Sequence, residues 1–203
     1  MKHLFLLSRP AIAIVALTSA HISFASNQEV QEGPGEALAK MIKKGEALAT
    51  PGSSHAFLEQ LAGKWETTSI VMGSEPQFGS AKAEMILGGR FLEMSYQGNF
   101  VGLALKGKLT LGFDNYKNKY TAIFLDNLST SIRTAEGMLD QTGKVLSLWG
   151  TMDEWMTDEH DKPVMYRYTF LNDLQIDFEV HDLSIVNGDT LVIKVVYTKS
   201  DQN

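Results

Sequence analysis

The sequence predicts an all-β fold, an antiparallel up-and-down barrel of about ten strands with short N-terminal helices. Three observations carry that prediction. Leu103–Asp114, LALKGKLTLGFD, holds Leu103, Leu105, Leu109, Leu111 and Phe113 on one parity and Ala104, Lys106, Lys108, Thr110 and Asp114 on the other. That is the period of 2 of a strand with one face on a core and one in water. Runs of the same kind, separated by turn residues, fill the chain from Lys64 onward. Gly63-Lys64-Trp65 opens the first of them, where an indole can plug a barrel end and the glycine permits close backbone approach.

Residues 1–25 read as a signal peptide. Lys2, His3 and Arg9 give a basic start, and Ala11–Ser19 is an apolar run too short to span a bilayer. Ser23-Phe24-Ala25 supplies small residues two apart, which puts cleavage after Ala25. A retained membrane anchor is the alternative reading. The expected location is exported, periplasmic or extracellular. The 203 residues contain no cysteine, so an exported product rests on its core instead of disulfides. With no N-terminal Cys to lipidate, the mature chain is expected to be soluble and without a stable membrane anchor. The net charge is −6, and losing Lys2 and Arg9 makes it two units more negative. Such a surface argues against nucleic acid and anionic membranes as partners. Asn127-Leu128-Ser129 matches a glycosylation sequon, which matters only in a eukaryotic secretory route.

Residues 26–52 are expected to form a flexible leader and a helix, and residues 53–203 the barrel domain. Ser26–Gly35 is polar and turn-rich. Over Glu36–Ala49 the period changes: Leu38, Met41, Ile42 and Leu48 fall near helical spacing, and Pro51 marks the end. A second short helix should start with Ser53 or Ser54 as N-cap and run to about Leu61, with Phe57, Leu58 and Leu61 as its apolar stripe. Both helices are expected to cap the barrel or pack on its wall.

The strands follow in order. Lys64–Met72 places Trp65, Thr67, Ser69 and Val71 on one side, and Phe78–Leu87 does the same with Ala81, Ala83, Met85 and Leu87. Gly88-Gly89 reverses the chain into Phe91–Gln97, where Leu92, Met94 and Tyr96 share a face. Past the Leu103 strand, Asp114–Lys119 is a polar hairpin loop, Tyr120–Asp126 a mixed strand and Ser131–Leu139 a weak one. Asp140–Gly143 is a turn before Lys144–Trp155, and Met156–Lys162 a charged loop. Pro163–Leu171 aligns Val164, Tyr166, Tyr168 and Phe170, and the next strand aligns Ile176, Phe178 and Val180. Leu191, Ile193, Val195 and Tyr197 mark the last strand.

G-x-W at Gly63–Trp65 resembles the opening signature of lipocalin-like, calycin-type barrels. The series ILGGRFLE (Ile86–Glu93), LGFDNYKNKY (Leu111–Tyr120), FLDN (Phe124–Asn127) and GMLDQTGKVLSL (Gly137–Leu148) is similar to an uncharacterised bacterial family of exported domains of unknown function. The resemblance spans roughly Phe57–Lys199 and implies the calycin-type barrel. Phe113 stands where Tyr is expected and Phe124 where Trp is common. It implies no activity, cofactor or catalytic residue.

No catalytic set, cofactor or metal is expected. After Ala25 only His55, His160 and His181 remain, and His181 shares parity with Asp177 and Glu179, so it should face solvent, the wrong phase for an axial haem ligand. No zinc-ligand spacing occurs. Asp153-Glu154 and Asp158-Glu159 with Asp161 read as a solvated rim, not as a carboxyl pair across a cleft. Inward parity gathers Trp65, Ser69, Met85, Met94, Tyr96, Leu105, Tyr166, Tyr168, Phe178 and Tyr197 as a tentative interior lining. Such a wall suits a small apolar or amphipathic ligand, unless the side chains simply fill the barrel. Trp65 is the expected plug, with Arg90 stacked over it or else a plain surface arginine. Two other readings stand: a barrel enzyme with a Tyr hydroxyl near Arg133, Glu136 or Glu93, and an interaction protein using Leu38, Met41 and Ile42.

Overall fold

A computed structural model describes residues 33–200; the expected signal peptide and most of the leader lie outside the described residues. Helix α1 (Pro34–Ala49) buries none of its residues, and Leu38, Met41 and Ile42 stay exposed. Its C-terminal part meets the turn at Asn115 and Tyr116 without burying a side chain: Lys44 Nζ lies 5.9 Å from the Tyr116 ring centroid. Helix α2 (Ser53–Leu58) runs on into a 3₁₀ turn, Glu59–Leu61. Its N-cap is Gly52, not a serine, so no hydroxyl caps it; His55 at N3 reaches back and its Nδ1 accepts the Gly52 N–H at 3.1 Å, the part an N3 Glu or Gln plays in a capping box.

Alternation then builds ten strands. They are β1 (Gly63–Val71), β2 (Gln77–Ile86), β3 (Phe91–Phe100), β4 (Leu103–Asp114) and β5 (Lys119–Asp126), followed by β6 (Arg133–Leu139), β7 (Val145–Glu154), β8 (Glu159–Asn172), β9 (Gln175–Asp182) and β10 (Leu191–Lys199). Each pairs antiparallel with its neighbours in sequence, and β10 returns to β1 from Trp65↔Lys199 to Val71↔Ile193. The sheet is a closed barrel without free edges.

The inward parities are those the sequence gives. Leu92, Leu111, Ala122, Leu146 and Leu148 are fully buried. Outside, charges pair across strands: Glu93 with Lys108 at 3.1 Å, Asp177 with Lys194 at 2.9 Å, and Glu179 with Arg167 at 2.5 Å. An apolar interior and a charged wall reverse the pattern of a membrane-spanning barrel. No described helix is long and apolar enough to cross a membrane.

One end of the barrel is closed. Leu58 and Leu61 from the α2 segment are wholly buried there, and the Phe57 ring meets Phe170 and Tyr120 edge-on at 4.7 and 5.8 Å. Asn115, in the β4–β5 turn, ties down the end of α1 and the link to α2 by donating to Leu48 O and Thr50 O at 2.8 and 2.9 Å. Trp65 is 1% exposed, and its Nε1–H donates to Leu61 O at 2.8 Å. The cation over its ring is Lys199, with Nζ 5.2 Å from the centroid, because the β1–β10 register sets Lys199 opposite Trp65. Arg90 is therefore not part of the plug; it stays in the β2–β3 turn and donates to Leu87 O at 3.0 Å.

Other expectations are corrected at strand ends. Leu87 and Leu103 have the right parity but lie past the core and are exposed, Leu87 in a turn at φ +50°. Most of the expected Met156–Lys162 loop is strand, since Glu154↔Glu159 pairing shortens the turn to 155–158. His181 keeps its outward parity yet is buried at the β9–β10 bulge, where Nδ1 sits 3.0 Å from Thr190 Oγ1 and Nε2 3.5 Å from Glu179 Oε2.

Truncating a buried tryptophan removes a large apolar body, so Trp65→Ala should cost about 3–5 kcal/mol in denaturant unfolding. Trp155, 61% exposed in the β7–β8 turn, should tolerate alanine within about 0.5 kcal/mol. Equal losses in the two variants would remove the plug from the account of stability.

Acid should weaken the fold through β9. Burial raises Asp182, but hydrogen bonds from Ser184 and Lys162 outweigh it and hold the carboxyl below its ordinary value. A carboxylate depressed in the folded state stabilises above its unfolded value, about pH 4, and that contribution is lost as pH falls through the folded value. The melting temperature should drop below about pH 4, with a shallower acid limb in Asp182→Asn. Superimposable acid limbs would exclude Asp182 as a contributor.

Candidate functional site

Above the plug the barrel is not filled. A cavity of about 250 Å³ lies between Tyr197 and the mouth. An apolar cavity of about 150 Å³ already holds benzene, so this one has room for a molecule of one or two rings. Ten strands give it the extra width that eight would not.

Of the residues expected inside, Ser69, Met94, Tyr96, Leu105, Tyr166, Tyr168, Phe178 and Tyr197 line this cavity. Trp65 lies beneath it, where its ring meets Tyr197 edge-on at 6.3 Å. Met85 does not reach it: the β2–β3 register sets Met85 opposite Leu92, next to the closed-end turn. Leu109, Phe124, Val180 and Val195 are among the further apolar residues of the wall.

A charged pair also faces inward. Asp126 follows Tyr120, Ala122 and Phe124 on the buried parity of β5, and Arg133 precedes Ala135 and Gly137 on that of β6. The two strands pair up to Phe124↔Arg133, which leaves the guanidinium beside the next inward residue of β5. Arg133 Nη2 donates to Asp126 Oδ2; the side chains are 22% and 7% exposed. Burial alone would lower Arg133, but the bond to Asp126 reverses that and holds it above its ordinary value. Glu93 and Glu136, the other acids considered for an interior site, point outward to lysines instead.

Around this pair stand two tyrosines. Tyr96 lays its ring over Gly107, where a Cβ would come within 2.2 Å of Cζ, and its hydroxyl donates to Leu125 O at 3.3 Å. Tyr166 stacks between Phe124, at 4.4 Å, and Phe178, at 6.2 Å with rings nearly parallel. The Tyr166 hydroxyl is buried and has no hydrogen-bond partner among the described residues. Burial pushes both phenols up to about 12, with the Arg133 charge pulling the other way. Burial also raises Tyr168 and Tyr197. At neutral pH the interior therefore presents protonated phenols and one internally neutralised ion pair. Its hydroxyls and guanidinium can donate hydrogen bonds.

Asp126 is hard to read from the sequence: its parity with Phe124 is visible, but FLDN at a strand end looks like the start of a turn. Arg133 carries a weak signal because its strand faces the core with small residues, Ala135 and Gly137.

Gly107 is what lets Tyr96 lie flat. Gly107→Ala should destabilise by about 1–3 kcal/mol through overpacking. That penalty should vanish in a Tyr96→Ala background, read as a double-mutant cycle in denaturant. Additive losses would mean that the clash lies elsewhere.

Against known proteins, the family described as "Protein of unknown function (DUF1579)" matches residues 50–199. No curated protein matches the chain. Among solved structures, a redesigned beta barrel aligns with a TM-score of 0.39 at 12% identity, covering 70% of this chain and 94% of that one. The S-type phycobiliprotein lyase CPES from Guillardia theta aligns with a TM-score of 0.47 at 10% identity, covering 78% of this chain and 98% of that one.

Proposed function

The chain belongs to the DUF1579 family of proteins of unknown function, and we propose that it is an exported, soluble, calycin-like barrel that binds one small apolar or amphipathic molecule inside. The observation that carries this reading is the cavity of about 250 Å³, walled by aromatic and aliphatic side chains with a few hydroxyls. Pockets of that make-up bury most of a small ligand and orient it by a few polar groups. The closed end supports a single route of entry at the mouth. Export rests on the pattern of residues 1–25, and the calycin-like assignment on G-x-W ahead of a closed ten-stranded meander.

Convergence of Tyr96, Tyr166, Arg133 and Asp126 inside the barrel favours one second reading, an enzyme acting on the same ligand class. Phenols raised to about 12 are poor bases near neutrality, which weighs toward binding.

Native mass spectrometry of protein purified from its host, with extraction of any bound molecule, is the first test. Calorimetric titration with naphthalene is the second, with one-to-one binding expected. Leu105→Trp, which puts an indole into the cavity wall, should weaken that binding at least tenfold while far-ultraviolet dichroism stays unchanged. No retained molecule together with no naphthalene binding would overturn the reading.

A further inference from the structure

The ion pair on the cavity wall gives a ligand a direction. Resting on the reading of the cavity as a binding site, we infer that Arg133 is its polar anchor. It holds an amphipathic molecule of one or two rings by an oxygen acceptor at the mouth end, with the ring body below, toward Tyr197.

Position comes first. β5 starts at the closed end, where Tyr120 meets Phe57, and Asp126 ends it, so Asp126 lies at the mouth end. Arg133 opens β6 on the other side of the same mouth loop. Below the pair, Phe124, Leu109 and Met94 line the cavity on the way down to Tyr197, whose ring rests on the Trp65 plug. The charged end of the cavity is therefore its entrance.

Arg133 is also presented to the cavity. It is on the lining, on the inward parity of β6, and its side chain keeps 22% of its surface exposed. A guanidinium carries several N–H donors in one plane. Nη2 donates to Asp126 Oδ2, and no guanidinium nitrogen is enclosed without a partner among the described residues. The donors that Asp126 does not take are therefore open. Tyr96 stands beside the guanidinium but gives its own O–H to Leu125 O, which leaves Arg133 as the donor on offer.

The anchor is held rigidly. Asp126 Oδ1 accepts the Leu128 N–H at 2.9 Å while Oδ2 takes Arg133, so the carboxylate is fixed through both oxygens and fixes the guanidinium in turn. Replacing a buried ion pair by apolar side chains is often neutral or stabilising. Stability thus gives no reason for a charged pair on an aromatic wall, whereas a ligand with a polar end does. Asp126 balances the charge, so the anchor works through hydrogen bonds, and a ketone, ester or ether oxygen is enough to engage it.

The test is a series on one skeleton: naphthalene, 2-acetylnaphthalene, 2-hexanoylnaphthalene and 6-butyl-2-acetylnaphthalene, titrated calorimetrically into the full chain. The same titrations are run on Arg133→Met/Asp126→Leu, which leaves no charge unpaired. In the unaltered protein 2-acetylnaphthalene should bind about tenfold tighter than naphthalene, as expected of a hydrogen bond to a charged group. Its infrared carbonyl stretch should lie below the value in hexane. The hexanoyl chain should leave by the mouth at little cost. The 6-butyl group should run into the closed end and weaken binding about tenfold through overpacking. The double variant should bind naphthalene as the parent does, lose the advantage of the ketone and return the carbonyl stretch to its hexane value.

An unshifted carbonyl, or an advantage undiminished in the double variant, would overturn Arg133 as the anchor. Tolerance of the butyl group together with rejection of the hexanoyl chain would overturn the direction. Both results leave the cavity reading intact. The infrared shift and the two alkylated ketones are read in the unaltered protein, so they decide even where the double variant fails to fold. Failure of all four compounds to bind the unaltered protein would sink the cavity reading itself.

Discussion

Closing ten strands on themselves deprives one face of every strand of water, and the rest of the structure answers to that constraint. Any polar atom on an inward position must find a partner inside or remain unmade. Trp65, Asp126, Arg133 and Tyr166 resolve it in different ways. The Trp65 indole N–H finds the Leu61 carbonyl, which locks the α2 segment over the closed end. Asp126 and Arg133 find each other. The Tyr166 hydroxyl, equally enclosed, finds no partner among the described residues.

The closed and open halves differ in how side-chain size is spent. Near the closed end, small residues such as Ala81 and Ala83 oppose the Trp65 indole, and aromatic rings interlock at 4.7–5.8 Å around Phe57 and Phe113. Toward the mouth, rings stack against one another along the wall, as Phe124, Tyr166 and Phe178 do, and leave space between themselves and the opposite strands. A rigid aromatic wall keeps a cavity open, since neighbouring side chains cannot relax into it without leaving their rotamers.

The strands were legible because alternation is a local signal: β4, Leu103–Asp114, begins and ends where its pattern does. The inward set on β8, Val164, Tyr166, Tyr168 and Phe170, follows from the same rule. What alternation cannot supply is register across strands. Lys199 over Trp65, in place of Arg90, follows only from how β10 seats on β1. His181 is buried despite its outward parity because a bulge between Leu191 and Ile193 brings Thr190 over it. Parity names most of the cavity's lining, but not its size: that is a difference between the volume enclosed by ten strands and the sum of their inward side chains, and no single segment encodes a difference.

The seam between β1 and β10 carries a consequence in time. Every other pairing joins strands adjacent in the chain, so those hairpins can form as soon as two neighbours exist. The seam alone joins the two ends of the barrel, and it must wait for Leu191–Lys199, the last strand to be made. Until then β1 is an unpaired edge, and the site that will hold Trp65 is open on one side. Non-local closure of this kind is slow relative to hairpin formation and leaves intermediates with exposed edges. The nine-residue β10 is thus the element whose pairing covers the last open edge of the barrel.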